Sequence, residues 1–169
     1  MFNKLIKRKY LRLLYAIVII TMALFFSISC NNVEKKQLII YNISSDKNIK
    51  KEVSYNLDKD DFFSIEFIHS VNMSPVVEYY RFDRDNNIYV YKTLYYNYGA
   101  GVPSNIENDE NMTFGDDGSM IIDNIDKKID NLSFYLSDIH DHILRINDGE
   151  AISLWEIFGK KQIINLYIR

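Results

Sequence analysis

The sequence predicts an all-β fold, an antiparallel sandwich or barrel of about 8–10 short strands behind an N-terminal signal or anchor segment. Short runs rich in Ile, Val, Tyr and Phe alternate apolar with polar positions, which is the pattern of strands with one buried face. Polar clusters such as Asp58–Asp61 and Asp83–Asn87 separate these runs and suit tight turns. No window after Cys30 has a convincing helical periodicity, so β structure dominates the prediction.

Each predicted strand is an alternating apolar run bounded by residues that favour turns. Turn clusters among the earlier runs are Asp58–Asp61 and Asp83–Asn87, and those among the later runs are Asp116–Gly118 and Asn147–Gly149. As an alternative, Ile125–Leu136 forms a short helix in place of a loop and a strand. In chain order the predicted strands are Leu38–Ile43, Lys50–Leu57, Phe62–Ser70, Val76–Phe82, Ile88–Asn97, Met120–Asp123, Leu132–Ser137, His142–Asn147, Ala151–Phe158 and Gln162–Ile168.

The connection Tyr98–Ser119 is too long for a simple turn and holds Gly99, Gly101 and Pro103. Its glycines give the backbone freedom that other residues lack, and long loops on a rigid β scaffold often carry binding sites. Its acidic, Asn-rich part, Asn105–Asn111, is expected to be mobile.

The N-terminal segment has the charge pattern of an export signal. Five Lys and Arg residues lie among the first twelve positions, and 13–29 contains no charged residue. Ser27-Ile28-Ser29-Cys30 resembles the processing site of bacterial lipoproteins, in which the cysteine receives lipid, although leucine is usual where Ser27 stands. The alternative is an uncleaved membrane anchor, because an uncharged, mostly apolar stretch of 17 residues lies at the short end of a spanning length. Either reading places the protein at the bacterial cell envelope, membrane-anchored on the extracytoplasmic face.

We therefore divide the chain into a signal or anchor at 1–29, a tether at 30–37 and a single β domain at 38–169. Because Cys30 is the only cysteine, the domain has no internal disulfide. The five basic residues lost with the signal leave 15 Lys and Arg against 23 Asp and Glu, a net charge of −8. An acidic domain repels phosphate backbones, so nucleic acid is not an expected partner.

Two ionisable residues are predicted to lie on the apolar faces of neighbouring strands. Strand alternation places His69 with Phe67 and Glu78 with Tyr80. A buried carboxylate needs a partner, and His69 is the nearest candidate in the sequence. Such a pair either fixes the hairpin register or belongs to a ligand site, and the sequence leaves both open.

Several short motifs follow one another in the middle of the chain: Ile68-His69-Ser70-Val71, Pro75-Val76, Glu78 and the run from Tyr98 through Gly99 and Gly101 to Pro103. Their order and spacing resemble the pattern of a bacterial family known as domain of unknown function 1850. The chain departs from the family pattern at Asn72-Met73 and in the acidic insertion after Pro103. The resemblance implies a small exported protein whose genes often accompany the TAXI branch of the tripartite periplasmic (TRAP) solute transporters. It implies no established reaction.

A metal site has a weaker signal. Asp138, His140 and His142 stand at alternate positions, and on a strand they would line one face at a spacing that a transition metal can use. The same segment also has the composition of a polar turn, so we expect no metal and no other cofactor.

These observations predict a non-enzymatic, membrane-tethered accessory protein of a TRAP-type transporter that contacts the permease or the solute-binding protein. The alternative is an envelope protein that binds a small ligand or a metal in a pocket near His69, Glu78 and the 98–103 loop, with Ser70, Gly99, Gly101 and Pro103 contributing.

Overall fold

The computed structural model describes residues 12, 14–22, 35–43, 48–97, 102–103, 106 and 109–169. The chain divides into two compact units, Met1–Glu34 and Lys35–Arg169. In the first unit, residues 14–22 are helical. Within the described residues, no helix reaches the length and hydropathy needed to cross a bilayer. The predicted lipidation site, Cys30, lies outside the described residues, as do Gly99 and Gly101.

The described residues of the second unit form β-strands and one short helix, which confirms the predicted all-β class. The elements are β1 Lys36–Ile43, β2 Ile49–Leu57, β3 Phe63–Ile68, β4 Pro75–Phe82, β5 Ile88–Tyr95, β6 Asn111–Phe114, β7 Met120–Ile129, β8 Leu132–Leu136, β9 Ile143–Ile146, β10 Ile152–Ser153, α1 Leu154–Phe158 and β11 Gln162–Ile168.

The strands form two antiparallel sheets that pack as a sandwich. One sheet has the order β2-β1-β11-β8, and the other has the order β10-β9-β3-β4-β5-β7-β6. The chain passes from the larger sheet to the smaller one at the short turn between β7 and β8. A cleft opens beside this corner.

Alternate residues of both sheets face inward and form one apolar core. Leu38 and Ile164 of the smaller sheet and Phe63 and Tyr80 of the larger sheet are almost completely buried. The rings of Phe63 and Tyr80 stack with their centroids 5.0 Å apart and an interplanar angle of 15°. These two residues lie directly opposite each other in the β3–β4 pairing, so the stack joins the two central strands.

The predicted strand Ala151–Phe158 is wrong beyond Ser153, because the chain turns there into α1. The Ser153 side chain accepts a hydrogen bond from the Glu156 backbone N–H at 3.1 Å and caps the helix. Gly159 then ends it with a φ of 82°. Ser153, followed three residues later by Glu156, is a sequence pattern typical of helix N-termini. This pattern outweighs the alternation of apolar and polar residues in Ala151–Phe158.

Two further details differ from the sequence prediction. Residues in Ile125–Leu136 do not form the alternative helix, since β7 continues to Ile129 and β8 starts at Leu132. The long connection after β5 contains an additional strand, β6, which pairs with the edge of β7. That strand is short and mostly exposed, so its alternation gives little signal.

The Phe63–Tyr80 stack generates a stability prediction. Phe63→Ala removes a fully buried ring and leaves a cavity between the central strands, so we expect a loss of about 3–5 kcal/mol in the free energy of unfolding. Urea denaturation of the full chain in mild detergent measures this loss. Phe114→Ala is the control, because that ring is 59 % exposed, and its loss should stay within about 1 kcal/mol. Equal losses in the free energy of unfolding for Phe63→Ala and Phe114→Ala would contradict the packing described for Phe63.

Candidate functional site

An open cleft of about 430 Å³ lies beside the corner between β7 and β8. The larger sheet supplies one wall through β4, β5 and β7, and β8 of the smaller sheet supplies the other. Polar groups from both walls face the same volume. They are Glu78, Tyr80, Thr93, Tyr95, Lys127, Asn131 and Ser133, with Glu110 and Pro103 at the loop side.

Glu78 is an acidic group on the β4 wall of this cleft. Its carboxylate accepts a hydrogen bond from the hydroxyl of Tyr80, two residues later on the same face of β4. Burial raises the pKa of Glu78 above its ordinary value, although the Tyr80 hydrogen bond and the charge of Lys127 act in the opposite direction. Glu78 is therefore more readily protonated than an exposed glutamate.

The neighbours of Glu78 share its partly dry environment. Thr93 lies directly opposite Glu78 in the β4–β5 pairing and is 4 % exposed. Burial also raises the pKa of Tyr80 well above its ordinary value, and the nearby Glu78 charge adds to the effect. The pKa of Tyr95 is raised by burial and, to a lesser extent, by the charges of Glu78 and Glu110. Charges placed in such a site interact more strongly than they would in water.

The predicted motif residues divide between two places in the structure. Glu78 and Pro103 line the cleft together. His69 and Ser70 line a different cavity, at the turn between β3 and β4. The sequence predicted one pocket near His69, Glu78 and the 98–103 loop. In the structure Glu78 and Pro103 line the same cavity, and His69 lines a different one.

The predicted His69–Glu78 pair is wrong, because the strand register separates the two residues. Glu78 stands opposite Ile65, four residues before His69, a separation of roughly 13 Å along the strands. The His69 ring instead binds within its own turn, where Nδ1 accepts a hydrogen bond from the Val71 backbone N–H at 3.2 Å. Tyr80 is the partner that the half-buried Glu78 has in the structure. Its position two residues along the same strand is the signal that could have identified it.

The three weak metal candidates do not lie on a strand, since the segment between β8 and β9 is irregular. Asp138 forms an ion pair with Lys161 at 2.8 Å. His142 packs its ring against Phe67 and Phe134, with centroid distances of 5.7 and 5.5 Å. In the part of the chain that the structure describes, no group of three His, Cys, Asp or Glu residues is arranged to hold a metal ion.

Asp141 orders the connection between β8 and β9, and it was not among the residues predicted from the sequence. Its carboxylate accepts hydrogen bonds from the backbone N–H of Trp155 at 3.0 Å and of His142 at 2.7 Å, and from the Ser153 hydroxyl. The side chain thereby fixes the β8–β9 connection to the start of α1. Only the fold brings these residues together, so no local sequence signal predicts the contact.

Comparison with known proteins identifies a family. The model of the family described as Domain of unknown function (DUF1850) matches residues 63–154, which is more than half of the chain. Neither the curated proteins nor the solved structures include a match to this chain. The matched region runs from β3 to the start of α1 and includes both Glu78 and His69.

The raised pKa of Glu78 predicts how stability depends on pH. A carboxyl group whose folded pKa exceeds its unfolded pKa costs stability as the pH rises through the folded value, because the unfolded chain ionises more easily. Glu78→Gln should therefore melt at a higher temperature than the native chain at pH 8, and the difference should close as the pH falls to about 4.5. Differential scanning calorimetry at both pH values measures it.

Glu52→Gln serves as the matched control, because Glu52 is exposed on β2. A Glu78→Gln protein that melts below the native chain at pH 8 would show that the folded environment stabilises the carboxylate.

Proposed function

This chain belongs to the DUF1850 family, and we propose that it is a non-enzymatic, membrane-tethered accessory protein of a TRAP-type solute transporter, which holds a small solute near the permease. The observation that carries the binding role is the open cleft, which is lined by the half-buried Glu78. The transporter role comes from what the family resemblance implies.

The cleft has the construction of a binding site. Its apolar floor includes Val90, Ile122 and Leu132, which are buried core residues, so the shape of the floor is fixed by packing. Hydrogen-bonding groups stand on both walls above this floor. A rigid floor with a few polar groups suits recognition of a small molecule more than contact with a flat protein surface.

The charges indicate the chemistry of the solute. Glu78 can accept hydrogen bonds from an ammonium group, and Lys127 presents the opposite charge to the same cleft. A solute that carries both an ammonium and a carboxylate can meet both partners at once, whereas a simple anion meets the Glu78 carboxylate unfavourably. We therefore propose an amino acid or a similar zwitterion as the solute class.

The proposed location rests on the N-terminal segment. A basic start, an uncharged apolar stretch and Cys30 in a lipoprotein-like context provide the elements for export and lipid attachment. More than one acyl chain holds a protein firmly on a membrane, because each buried methylene contributes about 0.8 kcal/mol. A lipid at Cys30 would keep the β domain on the extracytoplasmic surface.

The same cleft also favours a second function, that of a ligand-binding envelope protein with no transporter partner. Both functions require solute binding at Glu78, and only the accessory function requires a complex with transporter subunits.

Solute binding is tested by thermal shift with L-alanine and with two relatives that each lack one charge, N-acetylalanine and alaninamide. L-alanine at about ten times its Kd should stabilise the full chain by about 1.4 kcal/mol, and each relative should do so less. Glu78→Gln should abolish the response, and the exposed Glu52→Gln should keep it. If L-alanine stabilised Glu78→Gln as much as the native chain, Glu78 would not belong to the solute site.

Membrane attachment and the partner are tested together in cells. The native protein should fractionate with membranes and, after mild crosslinking, co-purify with a TRAP permease or solute-binding protein. If lipid is the anchor, Cys30→Ser should release the protein from membranes. If the protein fractionated with membranes but no transporter subunit co-purified with it under several crosslinking conditions, the accessory function would be rejected. The ligand-binding function would then be favoured.

A further inference from the structure

A second cavity, of about 470 Å³, lies between the β3–β4 turn and the β8–β9 connection. It is lined by all three histidines of the chain, His69, His140 and His142. We call it the histidine pocket, defined by these three residues together with Phe67, Met73 and Tyr135. The histidines come from two segments about 70 positions apart, so the fold alone assembles them.

The histidine pocket is separate from the cleft that holds Glu78. Phe134 lines the cleft, and its ring packs against Phe67 and His142, which line the pocket. This aromatic contact stands between the two cavities. A ligand in one cavity therefore meets different groups from a ligand in the other.

No carboxylate is present among the described residues that line the pocket, although the β domain is acidic. Two acids lie beside the pocket in the chain. Asp138 is paired with Lys161, and Asp141 accepts hydrogen bonds from Ser153, Trp155 and the backbone of His142. Burial lowers the pKa of His142, and the Asp141 charge acts in the opposite direction. In the described part of the chain, an anion in the pocket would face imidazole groups and no lining carboxylate.

The hydrogen bond of His69 fixes what its ring can offer. Since Nδ1 accepts the Val71 backbone N–H, the neutral ring carries its proton on Nε2 and is a donor at that atom. In His142, Nδ1 is buried without a hydrogen-bond partner. The histidine pocket thus has a ring N–H donor at His69 and a second histidine, His142, whose buried Nδ1 has no hydrogen-bond partner among the described residues.

Apart from Ser70 and Ser137, the remaining walls of the pocket are apolar or aromatic and partly exposed. Met73 is 57 % exposed, Tyr135 57 % and Ile139 69 %. Met73 also has a left-handed backbone, with a φ of 54°, which is unfavourable for a residue with a side chain. A ligand with an apolar body would cover these side chains, which water now contacts.

We propose that the histidine pocket binds a small organic anion with an apolar body, such as an aromatic carboxylate. The carboxylate accepts hydrogen bonds from the histidine rings, and the apolar body packs on Phe67, Met73 and Tyr135. This site is independent of the proposed solute site at Glu78, and it requires no transporter partner.

The test is an NMR titration of the full chain in detergent micelles with phenylacetate, which combines a carboxylate with an aromatic ring. The imidazole Hε1 resonances of the histidines should shift and saturate, with a Kd of roughly 1 mM. Acetate lacks the apolar body and 2-phenylethylamine reverses the charge, so both should bind at least about fivefold more weakly.

Variants localise the site. His69→Gln and His140→Gln should each weaken phenylacetate binding about fivefold or more, and both should keep the L-alanine response expected of the Glu78 cleft. We leave His142 unchanged because its ring is part of the aromatic packing. Glu52→Gln should bind phenylacetate as the native chain does.

Absence of a histidine shift in the native chain up to roughly 20 mM phenylacetate would overturn the proposal without any variant. Equal shifts with 2-phenylethylamine would overturn the assignment of an anion. If the native chain bound phenylacetate but did not respond to L-alanine, the solute site at Glu78 would be rejected. The histidine pocket would still be supported.

Discussion

The pairing register of β3 and β4 is the constraint on which the rest of the site depends. It sets Phe63 opposite Tyr80 and Ile65 opposite Glu78, so an aromatic stack and a carboxylate occupy neighbouring positions on the inner face. A shift of one residue would turn Glu78 and Tyr80 to the other face of the sheet. The β3–β4 turn strengthens this register, because the His69 backbone N–H donates to the Ser74 carbonyl and the Met73 N–H donates to the His69 carbonyl.

This register links the stability of the fold to the shape of the cleft. Tyr80 is buried by the core, and its hydroxyl supplies the hydrogen bond that lets Glu78 remain at the edge of that core. A half-buried carboxylate is costly for a fold, so its position beside an open cleft fits a group used for recognition. The same β3–β4 hairpin carries His69 at its turn, and the two cavities therefore share one structural frame.

Alternation predicted most of the strands because a period of two encodes which face of a sheet each residue occupies. The same reasoning placed Glu78 inward correctly and chose the wrong partner, since pairing between strands depends on register and not on sequence distance. At Ala151–Phe158 the alternation was misleading, and the capping serine decided the local structure. The convergence of His69 with His140 and His142 could not be predicted, because it requires β3 and β9 to be neighbours in the larger sheet.

The central claim is that folding places the Glu78 carboxyl group in a partly dry cleft against Tyr80. The most direct measurement is a pH titration of the Glu78 side-chain carboxyl carbon by ¹³C NMR, assigned by comparison with Glu78→Gln. The structure predicts a pKa above the ordinary value of 4.5 for this group, with burial as the cause. A pKa at or below 4.5 would contradict the account, because it would place Glu78 in a solvated or cationic environment.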